Sequence, residues 1–315
     1  MELEKKYCIV YAKSVLKNYN SGLVATLKFF LGIPEIKKLN AVADLDDTME
    51  DNVIILFHII LNEYQQKKVL KLKEKNVILH YFTDNHNESF LKMPHHIFHR
   101  VLVPDNVFLK EMYPDIGMKS VIFPWLIRYR PRENIPFMKR SPKALIFGST
   151  GGANVYPLRK KIRYYLSKVK NGVDLPRSKN IVKQDLMDYL GKYQIIIVTK
   201  GAYPLNYMLY KYVEAFISGA LVFCEYVPLL EKLKYKPYVH YIPLKSNMSN
   251  PIFIGPDKKL QTLFDLGDLN RKITRYINNP ESEEIIDRCM KLTNEKFGIK
   301  NRNQMFQKIL KGIKL

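Results

Sequence analysis

Lys211 and Glu214 stand three residues apart in Leu205 to Ser218, a stretch that reads as a helix closed by Gly219. That spacing puts an ammonium and a carboxylate on one helix face. The pair could serve an anion and a hydroxyl side by side, or be a solvated surface ion pair worth about 0.3 kcal/mol. A second group lies upstream, where Gly148-Ser149-Thr150-Gly151-Gly152 precedes a stretch carrying Arg159, Lys160, Lys161 and Arg163. Glycines let backbone N–H groups approach an anion, a helix N-terminus adds partial positive charge, and a guanidinium matches phosphate geometry. The turn ends in no Gly-Lys-Ser/Thr and lacks the dinucleotide spacing, so it reads as a phosphate site or as an ordinary strand-to-helix turn. A third group, His58, Asp84 and His86, could do acid–base work.

The elements that must hold these residues alternate. Tyr7 to Tyr11 reads as a strand, Leu23 to Leu31 as a helix and Ala41 to Ala43 as a short strand. Strands are expected over Val53 to Phe57, Val77 to His80, Ile97 to Val103 and Val121 to Phe123, with a lysine-rich helix from Gln65 to Glu74. His58 then ends one strand, and Asp84 and His86 follow another. After Arg128 the texture changes to clustered cations and prolines, which places an interdomain linker at 131–142.

A second series follows: strand Ala144 to Phe147, helix Pro157 to Lys170, strands Ile195 to Val198, Leu221 to Cys224 and Val239 to Ile242, then helices Leu269 to Ile277 and Glu281 to Phe297. Four consecutive β-branched residues at Ile195 to Val198 imply a strand covered on both faces. Strand–helix alternation at this spacing gives an α/β chain of doubly wound parallel sheets. Lys200 lies in the loop after the Ile195 strand, and Tyr210 lines the helix that follows. In such sheets these positions fall at the carboxyl edge, where ligands bind.

The chain has 315 residues, 47% apolar and 26% charged, which suits two globular domains. Its longest apolar run, Val53 to Leu61, is broken by His58 and is too short for a bilayer. The first residues lack a signal-peptide pattern, and the three cysteines Cys8, Cys224 and Cys289 make no disulfide framework. A reducing, cytoplasmic setting is the expectation. The net charge of +21 predicts attraction to polyanions, to an anionic membrane surface or to phosphate-bearing substrates. No nucleic-acid motif is present and no stable nucleic-acid partner is expected, but a basic nucleic-acid-binding module or a non-catalytic scaffold stays the rival reading, and peripheral membrane contact stays open.

Tyr156-Pro157-Leu158-Arg159 after a Gly-Ser strand end, and Lys211-Tyr212-Val213-Glu214-Ala215 ahead of Gly219-Ala220-Leu221-Val222, resemble the C-terminal nucleotide-sugar domain of GT-B glycosyltransferases. The exostosin-like and spore-maturation-like branch is the nearest in look. The resemblance covers residues 143–298 and reaches the first half only in outline. It implies two Rossmann-like domains facing a cleft: an acceptor domain at 1–130, a nucleotide-sugar domain at 143–298, and a tail at 299–315 crossing back to the first.

By the same resemblance Glu214 would accept from the ribose hydroxyls of a UDP- or GDP-sugar. Arg159 and the Gly148, Ser149 and Gly151 backbone would hold the diphosphate, with Lys211, Lys200 and Tyr210 beside it. No metal or other cofactor is needed if protein cations stabilise the leaving group. The acceptor, whether glycan, protein or lipid, is not indicated. Asn206 stands where many retaining members carry a second Glu, which leaves the stereochemistry open. The base would come from Asp84, His86 or His58.

Two other patterns invite different chemistry. Asp44-Leu45-Asp46-Asp47-Thr48 resembles the nucleophile motif of haloacid-dehalogenase-type phosphatases and the Asp-x-Asp of the other large glycosyltransferase fold, yet no long strand precedes it. It reads as an acidic loop. His95, His96 and His99 could suggest zinc, but no cysteine or carboxylate sits at ligand spacing, and a surface turn is expected.

Overall fold

Unbroken apolar runs, not alternating ones, build the central strands of both sheets. A computed structural model describes residues 6–14, 21–83, 87–148, 156–174, 183–201, 207–244, 252–254, 259–261 and 265–313. Two compact units emerge, one of residues 1–128 with 297–315 and one of residues 129–296.

The first unit carries β1 (Lys6–Tyr11), β2 (Lys37–Leu39), β3 (Asn52–Phe57), β4 (Val77–Tyr81), β5 (Arg100–Val103) and β6 (Ser120–Ile122). All pair in parallel, in the order β2-β1-β3-β4-β5-β6. Every residue of β3 and β4 is buried, as a strand covered by helices on both faces must be. The connecting helices are α1 (Ser21–Leu31), α2 (Glu63–Lys73), α3 (Glu88–Leu91), α4 (Val107–Met112) and α5 (Pro114–Lys119). Helix α2 starts where Asn62 Oδ1 accepts from Gln65 N at 2.9 Å and Gln65 Oε1 accepts from Asn62 N at 3.1 Å. This reciprocal cap satisfies two backbone donors at once.

In the second unit β7 (Ser141–Ile146), β8 (Gly172–Asp174), β9 (Tyr193–Val198), β10 (Leu221–Glu225) and β11 (Ile242–Leu244) form another all-parallel sheet, β11-β10-β9-β7-β8. Its helices are α6 (Pro157–Leu166), α7 (Lys183–Leu190), α8 (Tyr210–Ile217), α9 (Pro228–Lys232), α10 (Leu266–Tyr276) and α11 (Glu281–Phe297). A short antiparallel pair, β12 (Ile252–Ile254) and β13 (Lys259–Gln261), stands apart from the sheet. The last helix, α12 (Ile299–Lys311), returns to the first unit. There Phe306, Ile309, Leu310 and Ile313 join Phe30, Phe57, Tyr81 and Phe123 in one core. Among the described residues no helix is long and apolar enough to cross a membrane.

Each sheet begins with a strand flanked by its successor on one side and by the third strand of its unit on the other. That reversal is the topological switch point, and loops leaving it at the carboxyl edge form the ligand crevice of doubly wound folds. In the first unit it lies between β1 and β3; in the second, between β7 and β9.

Several expectations need correction. The second strand is Lys37–Leu39 and not Ala41 to Ala43, because Asp44 Oδ2 accepts from Ala41 N at 3.0 Å and folds that stretch into a turn. Residues His95–Ile97 form a 3-10 turn before β5. His96 is exposed there, as a surface turn requires, but His95 turns inward: it is 6% exposed, and its Nε2 lies 2.8 Å from Phe90 O. Helix α6 ends at Leu166, α8 begins at Tyr210, and the last strand of the second sheet starts at Ile242. The stretch expected as a linker is packed into the second unit. Arg132 N donates to Asp188 Oδ1 at 2.8 Å, Ser141 N donates to Lys192 O at 2.8 Å, and Ser141 already opens β7.

Candidate functional site

The switch point of the second sheet gathers most of the described residues expected to hold a phosphate-bearing ligand. Strand β7 runs fully buried through Ala144, Leu145 and Ile146 to Gly148, whose φ is +95°. The same glycine is crowded: a Cβ there would overlap Lys211 Cε and lie 2.8 Å from its Cδ and 3.2 Å from Arg159 Nη1. Backbone conformation and close approach both demand the missing side chain. The Gly148 carbonyl accepts from Arg163 Nη2 at 2.8 Å. Residues Ser149 and Gly151 lie outside the described residues, as do Asp84 and His86.

Helix α6 starts at Pro157, whose missing N–H costs nothing in the first turn. Two residues on, Arg159 is 1% exposed and reaches across to the end of β9. Its Nε donates to Thr199 Oγ1 at 3.2 Å and its Nη2 to Thr199 O at 2.9 Å, while the guanidinium stacks 4.0 Å from the Tyr156 ring centroid. Burial lowers the Arg159 pKa; Tyr156, Tyr212 and Glu225 act against that, and Arg163 adds to it. Arg159 therefore braces the loop after β9 as well as lining the Gly148 turn.

On the next residue of that loop, Lys200 N donates to Glu225 Oε2 at 2.9 Å. Glu225 is the last residue of β10 and 1% exposed, and its carbonyl accepts from Tyr212 Oη at 3.1 Å. Burial lowers the Lys200 pKa, with the Glu225 carboxylate opposing.

Helix α8 brings the last pair. Tyr210, Tyr212 and Val213 are buried in a helix packed against β9 and β10. Lys211 and Glu214 share a half-buried face, with the lysine stem against Gly148. Burial lowers the Lys211 pKa first; Glu214 opposes this and Arg159 reinforces it. The structure thus brings Gly148, Arg159, Lys200, Lys211 and Glu214 to one sheet edge, where Arg159, Arg163, Lys200 and Lys211 are set against Glu214 and Glu225. Cations in excess beside a glycine turn can hold an anion and stabilise negative charge that develops on it.

Sequence reasoning missed Thr199, Glu225 and the bond from Arg163. Both strand-end residues could have been found by reading each polar residue that closes a buried strand as a candidate for the carboxyl edge.

In the first unit His58 directly follows β3, at the switch point, with φ +54°. Its N–H donates to Tyr81 O at 2.7 Å, and its ring stacks on Phe82 with centroids 4.5 Å apart. Neighbouring His80 is wholly buried, its Nε2 3.0 Å from Ile59 O, and burial lowers its pKa to about 3. His99 Nδ1 accepts from Ile78 N at 3.0 Å, and burial lowers its pKa to about 4. Asp46 accepts from Thr48 N at 2.9 Å and Thr48 Oγ1 at 2.8 Å. Asp47 faces Lys68 and Lys71.

No protein-family model and no curated protein matches the chain. Solved structures do. HepE of Anabaena in complex with UDP and glucose superposes with a TM-score of 0.62 at 9% identity, covering 98% of this chain and 100% of that one. The same protein with UDP-glucose gives 0.61 at 10% identity, with the same coverage. A glycosyltransferase from Rickettsia africae gives 0.56 at 11% identity over 99% of this chain and 100% of that one. At such identities the likeness is one of architecture, and it places the chain's two Rossmann-like doubly wound units in the GT-B fold.

Proposed function

We propose that the chain is a nucleotide-sugar-dependent glycosyltransferase of hexosyltransferase type, working without a metal ion. The observation that carries this reading is Lys211 lying against Gly148, with Arg159 and Glu214 in its electrostatic surroundings, at the switch point of the second sheet. HepE and its like share the fold, and the HepE structures hold UDP or UDP-glucose. The Lys211-x-x-Glu214-Ala215 helix favours the exostosin-like and spore-maturation-like branch. UDP leads GDP as the donor nucleotide.

In this reading the Gly148 turn and Lys211 take the donor diphosphate, and Arg159 fixes the two loops that meet there. Glu214 accepts from the ribose hydroxyls. An acceptor hydroxyl attacks the anomeric carbon as the bond from that carbon to the diphosphate oxygen breaks. The charge left on the diphosphate is met by cations that were already in place, so little reorganisation accompanies it. The hydroxyl proton passes to a base in the first unit, for which His58 is placed at a strand end and Asp84 and His86 remain sequence candidates.

The test is a thermal-shift panel of UDP, GDP and their hexose conjugates on wild type and Glu214→Ala, followed by mass spectrometry of the reaction with the stabilising donor. Stabilisation of wild type by one nucleotide series, weakened in the variant, is expected. Equal response of both proteins, or of neither, would refute the assignment.

A further inference from the structure

Among the described residues, Arg159 and Arg302 are the two largest fully buried side chains. Their surroundings differ. Arg159 is tied to Thr199, whereas Nη1 and Nη2 of Arg302 meet no hydrogen-bond acceptor among the described residues. Arg302 is 2% exposed, and its guanidinium lies over the Phe123 ring, 4.2 Å from the centroid. Burial lowers its pKa to about 10, with nearby Tyr81 opposing, so it stays a cation at neutral pH.

The place is informative. Tyr81 closes β4 and Phe123 directly follows β6, so the guanidinium sits at the carboxyl edge of the first sheet, the edge at which open α/β folds take ligands. Arg302 is also the fourth residue of α12, whose N-cap Gly298 supplies no side-chain cap, so the helix adds its positive end to the same region. A cation–π contact offsets part of the desolvation. It supplies no acceptor for the terminal N–H groups, and buried charged donors left without one are destabilising.

We propose that Arg302 is kept for an oxyanion, a phosphate or carboxylate carried by the acceptor and bound at the carboxyl edge of β4 and β6. The word acceptor rests on the transferase reading; the anion site does not. With no anion present the guanidinium is shelved against Phe123, and it turns outward when an oxyanion offers two acceptors. A planar fork suits that task in a way a lysine point charge does not.

The test uses the full chain as wild type, Arg302→Met and Arg302→Lys, in thermal shift with UDP at saturation. Glycerol 1-phosphate is the phosphate probe and glucuronate the carboxylate probe. One of them is expected to stabilise wild type at a concentration about tenfold or more below that needed for Arg302→Met, with Arg302→Lys between. Without probe, Arg302→Met is expected to melt at or above wild type, since an apolar side chain replaces an unpaired buried charge. A difference smaller than that tenfold for both probes overturns the proposal and leaves Arg302 as a packing residue. The UDP shift is read separately: its absence from all three proteins, with probe discrimination intact, overturns the donor assignment and leaves the anion site standing.

Discussion

Gly148 and Lys211 meet so closely that the lysine stem occupies the space a side chain on the glycine would fill. The contact joins the turn after β7 to helix α8. Gly148→Ala must therefore displace Lys211 and also hold φ near +95°. Each effect is unfavourable, together about 2 kcal/mol. Urea denaturation should show that loss, and the UDP thermal shift should fall in parallel. A variant with wild-type stability and nucleotide response would show that the turn yields freely.

The brace from Arg159 to Thr199 makes a second prediction. Thr199→Val keeps the shape and the carbonyl but removes the hydroxyl that accepts from Arg159 Nε. Loss of one buried acceptor for a charged donor should cost about 2 kcal/mol. Chemical denaturation measures the cost, and a change within error would mean that the carbonyl bond alone suffices.

His80 gives the acid dependence its sign. Its folded pKa, about 3, lies below the ordinary value of 6.5, because the protein interior favours the neutral ring. Protons therefore bind the unfolded chain first. The contribution to stability is full above pH 6.5 and is lost as pH falls toward 3. Between pH 7 and 5 the loss from this one group is about 2 kcal/mol. Unfolding free energies at the two pH values measure it, and the His80→Asn protein should show a correspondingly flatter profile.

Phe306 tests the closing helix. Its ring lies 5.5 Å from that of Phe30 and 6.2 Å from those of Phe29 and Phe123. Phe306→Ala should cost about 3 to 5 kcal/mol, as large-to-small changes in aromatic cores do. Limited proteolysis should then cut the first unit earlier than the second.

The buried strands were legible because their chemistry is local: Val53 to Phe57, Ile195 to Val198 and Leu221 to Cys224 are short apolar runs, rich in β-branched residues or closed by turn residues, that read as doubly covered strands. Strand β2 was not, because Lys37 and Lys38 are exposed and the strand is held by backbone pairing to β1. The Lys211 and Glu214 pair could be read from helical spacing, but its contact with Gly148 depends on strand order, which no local pattern encodes. His95 looked like a surface residue because nothing in its neighbours announces that its ring turns inward to Phe90 O. Arg302 sat in a tail placed on the first domain by resemblance alone, and its burial follows only from the aromatic cluster it joins.

The first unit is interrupted in the chain: its core needs Phe306 and Ile313, yet residues 129–296 form the other unit without a break. A ribosome emits residues in order, so the second unit can complete its fold while the first still lacks one wall. Nascent first-unit strands would then wait with apolar surface uncovered, a window in which chaperones or aggregation compete for the chain. Gly148, Arg159, Lys200, Lys211 and Glu214 all lie on the second unit, so the proposed donor site would be assembled before that wall arrives.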